Sequence, residues 1–326
     1  EESLNVKQPC SLDAIVAAHF DLSAIPSRHF VAALAAHATN PAERERLEYF
    51  ASAEGADDFI QYSVREKRSI LLTLRDFPSA RPNVRDLLSM MPRMKPRAFS
   101  IASSPSLDHD ELHICAALVK HTTKLRRVRE GVCSAFFRQL ERGDLVPCWI
   151  QRGSFRLADA PPSAPLILIG PGTGIAPIRS ILRELSAHSE KVTGRDVPPR
   201  DVLVYFGCRT AGTDGDYLYK DELHELVDSG VITSLRVAVS RGNNLGRKVY
   251  VQHLLTEDAP RIGALLLAQT GVRVLVAGAA GSMPREVNDA LCRAILAAAP
   301  NLDRAAADRI LRSLASAGRY VLDCWT

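Results

Sequence analysis

The first ninety residues carry apolar side chains at helical spacing. In FVAALA at 30–35 and ILLTL at 70–74, apolar positions recur in steps of three and four residues. Proline or glycine interrupts this pattern five times between Pro26 and Pro82. The sequence therefore predicts five or six short helices between residues 11 and 91.

The pattern changes between residues 97 and 156, where apolar and polar side chains alternate as they do in strands. The alternation is clearest at 112–115 and returns at 146–155. One predicted helix, over 133–140, interrupts the strands. The first half of the chain is therefore expected to combine a helical part with a β-rich part.

A proline-rich linker, DAPPSAP at 159–165, separates this half from one with a regular strand, turn and helix rhythm. Such alternation predicts a doubly wound parallel sheet. The predicted strands lie at 166–169, 202–206, 234–239, 272–277 and 319–324, and the predicted helices lie near 175–188, 217–228, 249–256 and 283–298.

Length and composition are those of a globular protein with two domains. The chain has 326 residues, of which 46% are apolar and 24% charged. No apolar run approaches the roughly 18 residues of a membrane span. The net charge of +4 is small, and the basic cluster at 120–129 is more typical of a solvated surface than of a nucleic-acid site. Neither a membrane nor a nucleic acid is expected as a partner.

The seven cysteines lie far apart, without the paired spacing of a zinc site or a disulfide framework. This usage predicts a reducing, cytoplasmic environment and no bound metal. The first ten residues, EESLNVKQPC, show neither the basic and apolar segments nor the cleavage pattern of a targeting signal.

The segment GPGTGIAP at 170–177 follows a predicted strand and opens a helix. Gly170, Gly172 and Gly174 allow the backbone to approach a ligand in front of the helix N-terminus, which is the geometry that binds pyrophosphate. The segment is not a P-loop, since it lacks the terminal Lys-Ser/Thr. Glycine turns are common between strand and helix, so a structural role fits this segment equally well.

The loop after the third strand of a doubly wound sheet is where an NAD-binding domain often carries a carboxylate for the ribose. Here Ser240 and Arg241 stand instead, followed by Lys248 and Tyr250. Two cations, two hydroxyls and an aromatic ring suit a 2′-phosphate and its adenine, which favours NADPH over NADH. Taken singly, the two cations are ordinary surface charges.

Two further segments of the first half offer groups for an anionic, aromatic ligand. RAFSIASSP at 97–105 alternates a cation, an aromatic ring and hydroxyls, and GVCS at 131–134 precedes a helix whose amides can bind a phosphate. The alternative is a core strand followed by a helix capped by Ser134.

Seven motifs occur in the order found in the C-terminal module of diflavin reductases, which the chain resembles over essentially its whole length. They are RAFSIASS, GVCS, GPGTGIAP, FGCR, YLYKDEL, SRGNNLGRKVYVQHLL and RYVLDCWT. This family belongs to the ferredoxin reductase superfamily. Within it, KPRAFSIASS and the helical region beginning PCSL are most similar to the cytosolic NADPH-dependent diflavin oxidoreductases that supply electrons to iron–sulfur cluster assembly.

The resemblance implies an FAD-binding antiparallel β-barrel with a helical insert, followed by a doubly wound NADP-binding domain of the ferredoxin reductase type. The expected domains are 1–162, including a helical connecting subdomain at about 11–95, and 163–326. The cofactors would be FAD and NADPH.

The resemblance assigns the FAD site to the first domain. Arg97 would neutralise the pyrophosphate, Phe99 would lie against the isoalloxazine ring, and Ser100 would hydrogen-bond near flavin N5. Cys115 and Ala117 would line the flavin from the next strand.

The FAD nucleotide would be held further along the same domain. His121 lies where the family often stacks an aromatic ring on the adenine. Gly131, Val132, Cys133 and Ser134 would cap the pyrophosphate.

For the nicotinamide nucleotide, the resemblance implies pyrophosphate contacts from Gly172, Thr173 and Gly174. The residues that would hold the phosphorylated adenosine are Ser240, Arg241, Lys248, Tyr250, Gln252 and the acidic Glu286.

At the end of the last strand, Trp325 would cover the flavin face that the nicotinamide needs and act as a gate. Asp323 and Ser100 would complete the catalytic set. Three residues depart from the family pattern: Phe99 replaces a more usual Tyr, Ala277 a frequent Cys and Ala279 a frequent Asp. Hydride transfer is therefore expected to depend mainly on positioning.

The resemblance also implies that the chain lacks the first barrel strands and the flavodoxin-like domain that carries FMN, so it is interpreted as a fragment. In the whole protein, electrons would pass from FAD to the FMN domain and then to an iron–sulfur or haem acceptor.

Three alternatives stay open. The chain is the reductase module of another diflavin enzyme, or a single-flavin ferredoxin-NADP reductase, although the helical segment 11–91 argues against the latter. The third is a non-catalytic interaction module that has lost its cofactor, suggested by Ala277, Ala279 and the missing strands.

Overall fold

The computed structural model describes residues 11–123, 126–157, 160–191, 200–212, 215–242, 246–268 and 271–325. The chain forms two compact units. One comprises Glu1–Ala98 and Ala117–Leu145, and the other comprises Phe99–Ala116 and Val146–Thr326. Residues 99–116 and 146–162, which the sequence predicts in the first domain, therefore group with the second unit. The boundary at 162 stays a prediction.

The first unit begins with the predicted series of short helices. They are α1 (Leu12–His19), α2 (Arg28–Ala35), α3 (Pro41–Ala51), α4 (Ala56–Phe59), a π-helical segment (Ile60–Arg65), α5 (Ile70–Asp76) and α6 (Val84–Met90).

Local sequence fixes where these helices begin. Ser27, Asn40, Ser69 and Asn83 each cap a helix by accepting a hydrogen bond from a backbone amide of its first turn. Pro41 then occupies the first turn of α3, where its missing N–H costs nothing. The helices pack around a core whose largest fully buried side chains are Phe30, Leu34, Leu47, Phe50 and Ile70.

The rest of the first unit is a short hairpin followed by a helix. Strand β1 (Lys120–Thr122) pairs antiparallel with β2 (Val128–Glu130), and α7 spans Val132–Gln139, close to the predicted 133–140.

Antiparallel pairing elsewhere in 97–156 is limited, within the described residues, to one bridge between Ile101 and Ile114. The stretch 146–155 alternates as a strand would but forms none, and Trp149 and Ile150 are 62% and 71% exposed. A strand needs a hydrogen-bonding neighbour as well as alternation, and among the described residues this stretch has none.

In the second unit, a five-stranded parallel sheet has the order β5-β4-β3-β6-β7. Its strands are β3 (Leu166–Pro171), β4 (Val202–Cys208), β5 (Ser234–Val239), β6 (Arg273–Ala279) and β7 (Tyr320–Trp325). All five predicted strands are confirmed within two residues at either end.

Helices cover both faces of this sheet, as a doubly wound fold requires. They are α8 (Ile175–Lys191), α9 (Lys220–Asp228), α10 (Val251–Glu257), α11 (Ala259–Leu267), α12 (Met283–Ala298) and α13 (Arg304–Ser316). Successive residues of β3 enter opposite cores: Ile167 and Ile169 pack with α10 to α13, whereas Leu166 and Leu168 pack with α8 and α9.

The order of the strands identifies the ligand-binding edge of the sheet. From β3 the chain builds outward through β4 to β5, and then returns to the other side of β3 with β6 and β7. Ligands of open α/β sheets bind at the carboxyl ends of the strands at such a reversal. The site is therefore expected where β3 and β6 end.

Candidate functional site

The glycine segment lies at this strand reversal. Strand β3 ends at Pro171, residues Gly172–Gly174 form a 3₁₀ turn, and α8 begins at Ile175. Gly172 has φ of +59°, and an added Cβ there would meet no atom within 4 Å. At Gly174 an added Cβ would lie 2.1 Å from the carbonyl oxygen of Ala277 on β6. The turn is thus closed against β6 on one side and open in front of α8, which suits a phosphate group.

The ends of β6 and β7 lie side by side next to this turn. In the strand register, Ala277 is opposite Asp323 and Ala279 is opposite Trp325. The two alanines that depart from the family pattern are therefore neighbours of the two C-terminal residues assigned to catalysis. Trp325 is 37% exposed.

Gly278, between the two alanines, has a backbone that favours glycine. Its φ is +150°, and an added Cβ would lie 3.1 Å from Met283 and 3.4 Å from Pro171. The carboxyl ends of β3 and β6 are therefore in close contact, with no room for a side chain between them.

The residues predicted to bind the phosphorylated adenosine follow β5. Ser240 donates a 3.3 Å hydrogen bond from its hydroxyl to the carbonyl of Cys208, and the backbone of Arg241 donates to the carbonyl of Arg209. The side chains of Arg241, Lys248 and Tyr250 are exposed. Residues 243–245 of this motif lie outside the described part of the chain.

Gln252 and Glu286 are brought together from neighbouring helices. The Gln252 amide of α10 donates a hydrogen bond to the carboxylate of Glu286 in the first turn of α12. The two helices also share the core beneath this pair. Two residues that are 34 positions apart and were assigned to one site are therefore in direct contact.

Residues 99–102, called the flavin strand below after their predicted role, lie in the second unit and pair with the segment before Cys115 through a single bridge. Phe99 and Ser100 are half-buried, Ile101 bridges to Ile114, and the amide of Ala102 donates to the carbonyl of His113. Cys115 follows on the opposite strand. Burial raises the pKa of its thiol, and a hydrogen bond from the Tyr219 hydroxyl opposes that rise. Cys115 is thus a protonated, neutral group at ordinary pH.

In the first unit, the guanidinium of Arg97 has protein partners. It donates to the carbonyl of Lys95 at 2.6 Å and lies 3.3 Å from the carboxylate of Asp21. A pyrophosphate bound by Arg97 would have to share the guanidinium with Asp21.

The GVCS segment forms the start of α7. Gly131 is the N-cap residue, Val132 and Cys133 open the helix, and all three are half-buried. The alternative in which Ser134 caps this helix is wrong, because Ser134 lies inside the first turn and its hydroxyl accepts a 2.8 Å hydrogen bond from the amide of Val119. That bond ties the helix to the residues before β1.

The hairpin next to this helix contains buried polar atoms without partners. Among the described residues, neither Nε2 of His121 nor Nε of Arg129 has a hydrogen bond, and the two residues are opposite each other in the strand register. Buried donors normally have partners, so a polar ligand would satisfy them. The nucleotide part of FAD fits this requirement. Ala117, two residues before Val119, is exposed.

Sequence reasoning missed several residues that surround the flavin strand. Arg179 of α8 is 8% exposed and contacts this strand, and Tyr219 contacts Cys115. The sequence carries no distinct signal for Arg179, because Arg183 follows one turn later and two cations four residues apart are typical of a solvated helix face. Tyr219 lies within the motif YLYKDEL but was given no role.

No helix in the described part of the chain combines the length and the hydropathy needed to traverse a bilayer.

Two family models match the chain. Residues 1–136 match an FAD binding domain, and residues 168–289 match an oxidoreductase NAD-binding domain. The first contains the helical series, β1 and β2, and the second runs from Leu168 within β3 through β6.

Three of the curated proteins that are similar to this chain share nearly the same identity with it. It is 36% identical over 334 residues to NADPH-dependent diflavin oxidoreductase 1 of Arabidopsis thaliana, covering 100% of this chain and 52% of the relative. It is 35% identical to the Dictyostelium discoideum protein of the same name, covering 88% and 45%. It is also 35% identical to the NADPH–cytochrome P450 reductase of Sus scrofa, covering 94% and 45%. The chain thus spans about half the length of the curated relatives it matches.

Proposed function

Because the chain belongs to the diflavin reductase family, with an FAD-binding domain followed by an NAD-binding domain, we propose that it transfers hydride from NADPH to FAD. When bound, FAD accepts a hydride, which carries two electrons and one proton, and releases the electrons singly. The chain itself supplies binding, orientation and exclusion of water.

The observation that carries this proposal is the arrangement at the strand reversal. Gly174 of the turn packs against Ala277 near the end of β6, and β7 runs beside β6 as far as Trp325, which pairs with Ala279. A nucleotide phosphate held in front of α8 would bring the attached nicotinamide toward Ala277 and Asp323. Since Ala277 offers no polar group, orientation has to come from shape and from neighbouring residues.

NADPH is favoured over NADH by the charges after β5. Arg241 and Lys248 are exposed cations on the loop that contacts the 2′ position of the adenosine ribose in this fold. A 2′-phosphate would accept charge-assisted hydrogen bonds from both, and Ser240 and Tyr250 would add a hydroxyl and a ring. Gln252, held by Glu286, would complete the pocket.

FAD would be held by the residues that the family resemblance assigns. Phe99, Ser100 and Cys115 would contact the flavin, and the segment Gly131–Ser134 would bind the pyrophosphate. The unpartnered nitrogens of His121 and Arg129 support a polar ligand at the hairpin. We take 1–162 as the FAD-binding domain, with the helical connecting subdomain at about 11–95, and 163–326 as the NADP-binding domain.

In the whole protein, electrons would leave through an FMN domain. As acceptor we propose an iron–sulfur protein of cytosolic cluster assembly, and correspondingly a cytoplasmic location. The support is the similarity of KPRAFSIASS and of the helical region to that branch of the family, together with the match to the Arabidopsis protein along the entire chain.

Anaerobic titration of the FAD-loaded chain with NADPH, followed by optical spectroscopy, tests the central proposal. Bleaching of the flavin absorbance by one equivalent of NADPH is expected. A colourless protein that cannot be reconstituted with FAD, or a yellow one that NADPH does not bleach, would contradict it.

A second experiment tests the acceptor. The FAD-loaded chain is mixed with a relative's FMN domain and NADPH, and reduction of an iron–sulfur acceptor is compared with reduction of a cytochrome P450. Faster reduction of the cytochrome would exclude the proposed acceptor.

A further inference from the structure

An arginine is buried on the helix that follows the glycine turn. Arg179 lies one turn into α8, and only 8% of its surface is exposed. Buried arginines are rare unless every part of the guanidinium has a partner. The position of those partners therefore indicates what the residue holds in place.

The guanidinium of Arg179 connects the flavin strand to α9. Its Nη1 donates a 2.7 Å hydrogen bond to the carbonyl of Ala102, two residues after Ser100. The same nitrogen lies 3.3 Å from Nδ1 of His113 on the paired strand. On the other side, Nε donates to the carboxylate of Glu222 at 2.7 Å. One side chain thus contacts both strands of the flavin segment and the helix behind them.

The ring of Tyr219 completes this cluster from above the guanidinium. The Cζ atom of Arg179 lies 4.6 Å from the centre of the Tyr219 ring, a cation–π contact. Tyr219 itself has φ of +55°, a left-handed conformation that costs a residue with a Cβ about 1 kcal/mol or more. The same tyrosine donates to Cys115. A strained residue held between the arginine and the flavin segment indicates that this geometry is under functional constraint.

A second row of ionic contacts lies one turn further along α8. Arg183 binds Asp108 through two hydrogen bonds of 2.6 and 3.0 Å and also donates to Glu222. The carboxylate of Glu184 accepts hydrogen bonds from the hydroxyls of Ser104 and Ser106. This row holds the loop after the flavin strand, whereas Arg179 reaches the backbone of the strand itself.

We propose that Arg179 is the positioning residue that fixes the strand carrying Phe99 and Ser100 relative to the glycine turn at the start of α8. The inference rests on the proposed function and deepens it. Arg179 is five residues beyond Gly174 on a rigid helix, and Ala102 is two residues beyond Ser100. The residue therefore sets the separation between the flavin and the nicotinamide without contacting either.

The chemistry of the side chain explains why arginine is required there. A planar guanidinium presents several donors in a fixed fork, so it bonds the Ala102 carbonyl, the His113 ring and the Glu222 carboxylate at once while stacking on Tyr219. The ammonium of a lysine keeps the charge but cannot hold these directions together. Comparing Arg179→Lys with the wild type therefore tests the role of the hydrogen-bond geometry while the positive charge is retained.

Arg273 provides a matched control. It is also 8% exposed and also donates to backbone carbonyls, those of Arg156 and Gly318, but it lies at the start of β6, away from the flavin strand. Arg273→Lys should lower the thermal midpoint by a similar amount without affecting hydride transfer.

The first test is hydrogen exchange of the chain without cofactor. In Arg179→Lys, amides at 99–106 should exchange on the order of tenfold faster, because the local opening of this segment becomes easier. Amides of β4 should keep their protection, and Arg273→Lys should leave 99–106 unchanged. Unchanged protection of 99–106 in Arg179→Lys, or an equal loss in both variants, would overturn the inference.

The second test is stopped-flow reduction of the FAD-loaded chain by NADPH and by its deuterated form. A displacement near 1 Å costs about 10- to 100-fold in rate, so Arg179→Lys should lower the rate constant by that factor and raise the isotope effect. The Kd for NADP⁺ should change less than threefold. Wild-type protein that is not reduced overturns the proposed function and this inference with it. Reduction of wild type and Arg179→Lys at equal rates overturns the inference alone.

Discussion

The backbone amide of Ala280 donates a 2.8 Å hydrogen bond to the carbonyl of Trp325. This bond extends the pairing of β6 and β7 to the last described residue, so the backbone of the terminal tryptophan is fixed beside the glycine-rich end of β6. The residue remains 37% exposed. A fixed backbone with a partly exposed ring suits a side chain that covers a site and swings away by rotation about its own bonds.

Replacing Trp325 with Ala should ease nicotinamide access and reduce the preference for NADPH over NADH. The reason is that NADPH has the 2′-phosphate contacts to displace the ring, whereas NADH lacks them. The measurement is the ratio of kcat/KM for the two nucleotides. Trp149→Ala is the control, since Trp149 is the other tryptophan of the chain and is exposed. An unchanged ratio in Trp325→Ala would rule out the gate.

Replacing Arg241 and Lys248 with Ala should raise the KM for NADPH much more than the KM for NADH. Each lost contact to a charged group is worth about 1.5–3 kcal/mol, which corresponds to roughly 10- to 150-fold per residue in KM. Steady-state kinetics with both nucleotides measures this difference. Arg142→Ala, which removes an exposed cation elsewhere, should leave both values unchanged. Equal losses with both nucleotides would contradict the assignment.

Acid should weaken the ionic row behind the flavin strand. The hydrogen bonds from Arg183 lower the pKa of Asp108 to about 2, compared with about 3.9 in an unfolded chain. Because the folded pKa is the lower one, the ionised carboxylate stabilises the fold above pH 4, and this contribution is lost as the pH falls from about 4 to 2.

Asp108→Asn tests this linkage. Urea unfolding at pH 6 should show a loss of about 1–3 kcal/mol relative to wild type, and the difference should shrink at pH 3. Asp110→Asn, which changes an exposed aspartate two residues away, should show no such pH dependence. A constant difference between the two pH values would contradict the role of Asp108.

The parts of the fold that follow from local pattern could be predicted from the sequence. The run from Leu166 to Gly174 predicted both the strand and the glycine turn, because buried parallel strands are continuously apolar and glycine allows the tight turn. The helices α11 and α13 were missed. Each is a second helix within a connection for which the pattern predicted only one: α11 follows α10 after a single residue, Asp258, and α13 follows α12.

Contacts between distant segments could not be predicted in this way. Nothing in the pattern around Arg179 specifies that its partners are Ala102, His113 and Tyr219, because these contacts depend on tertiary packing. The stretch 146–155 shows the same limit. Its alternation predicted a strand, but a local pattern does not reveal whether another strand lies alongside to pair with it.

Gly174 should tolerate no side chain. A Cβ there would lie 2.1 Å from the carbonyl oxygen of Ala277. The backbone fixes the positions of both atoms, so neither can turn aside. Gly174→Ala must therefore push the turn away from β6, at a cost of about 1–3 kcal/mol or more in unfolding free energy and with a higher KM for NADPH. Gly281→Ala is the control, because a Cβ at Gly281 meets no atom within 4 Å. Urea unfolding and steady-state kinetics measure the two effects. If Gly174→Ala is as stable as Gly281→Ala and binds NADPH as wild type does, the turn is not packed against β6 as described.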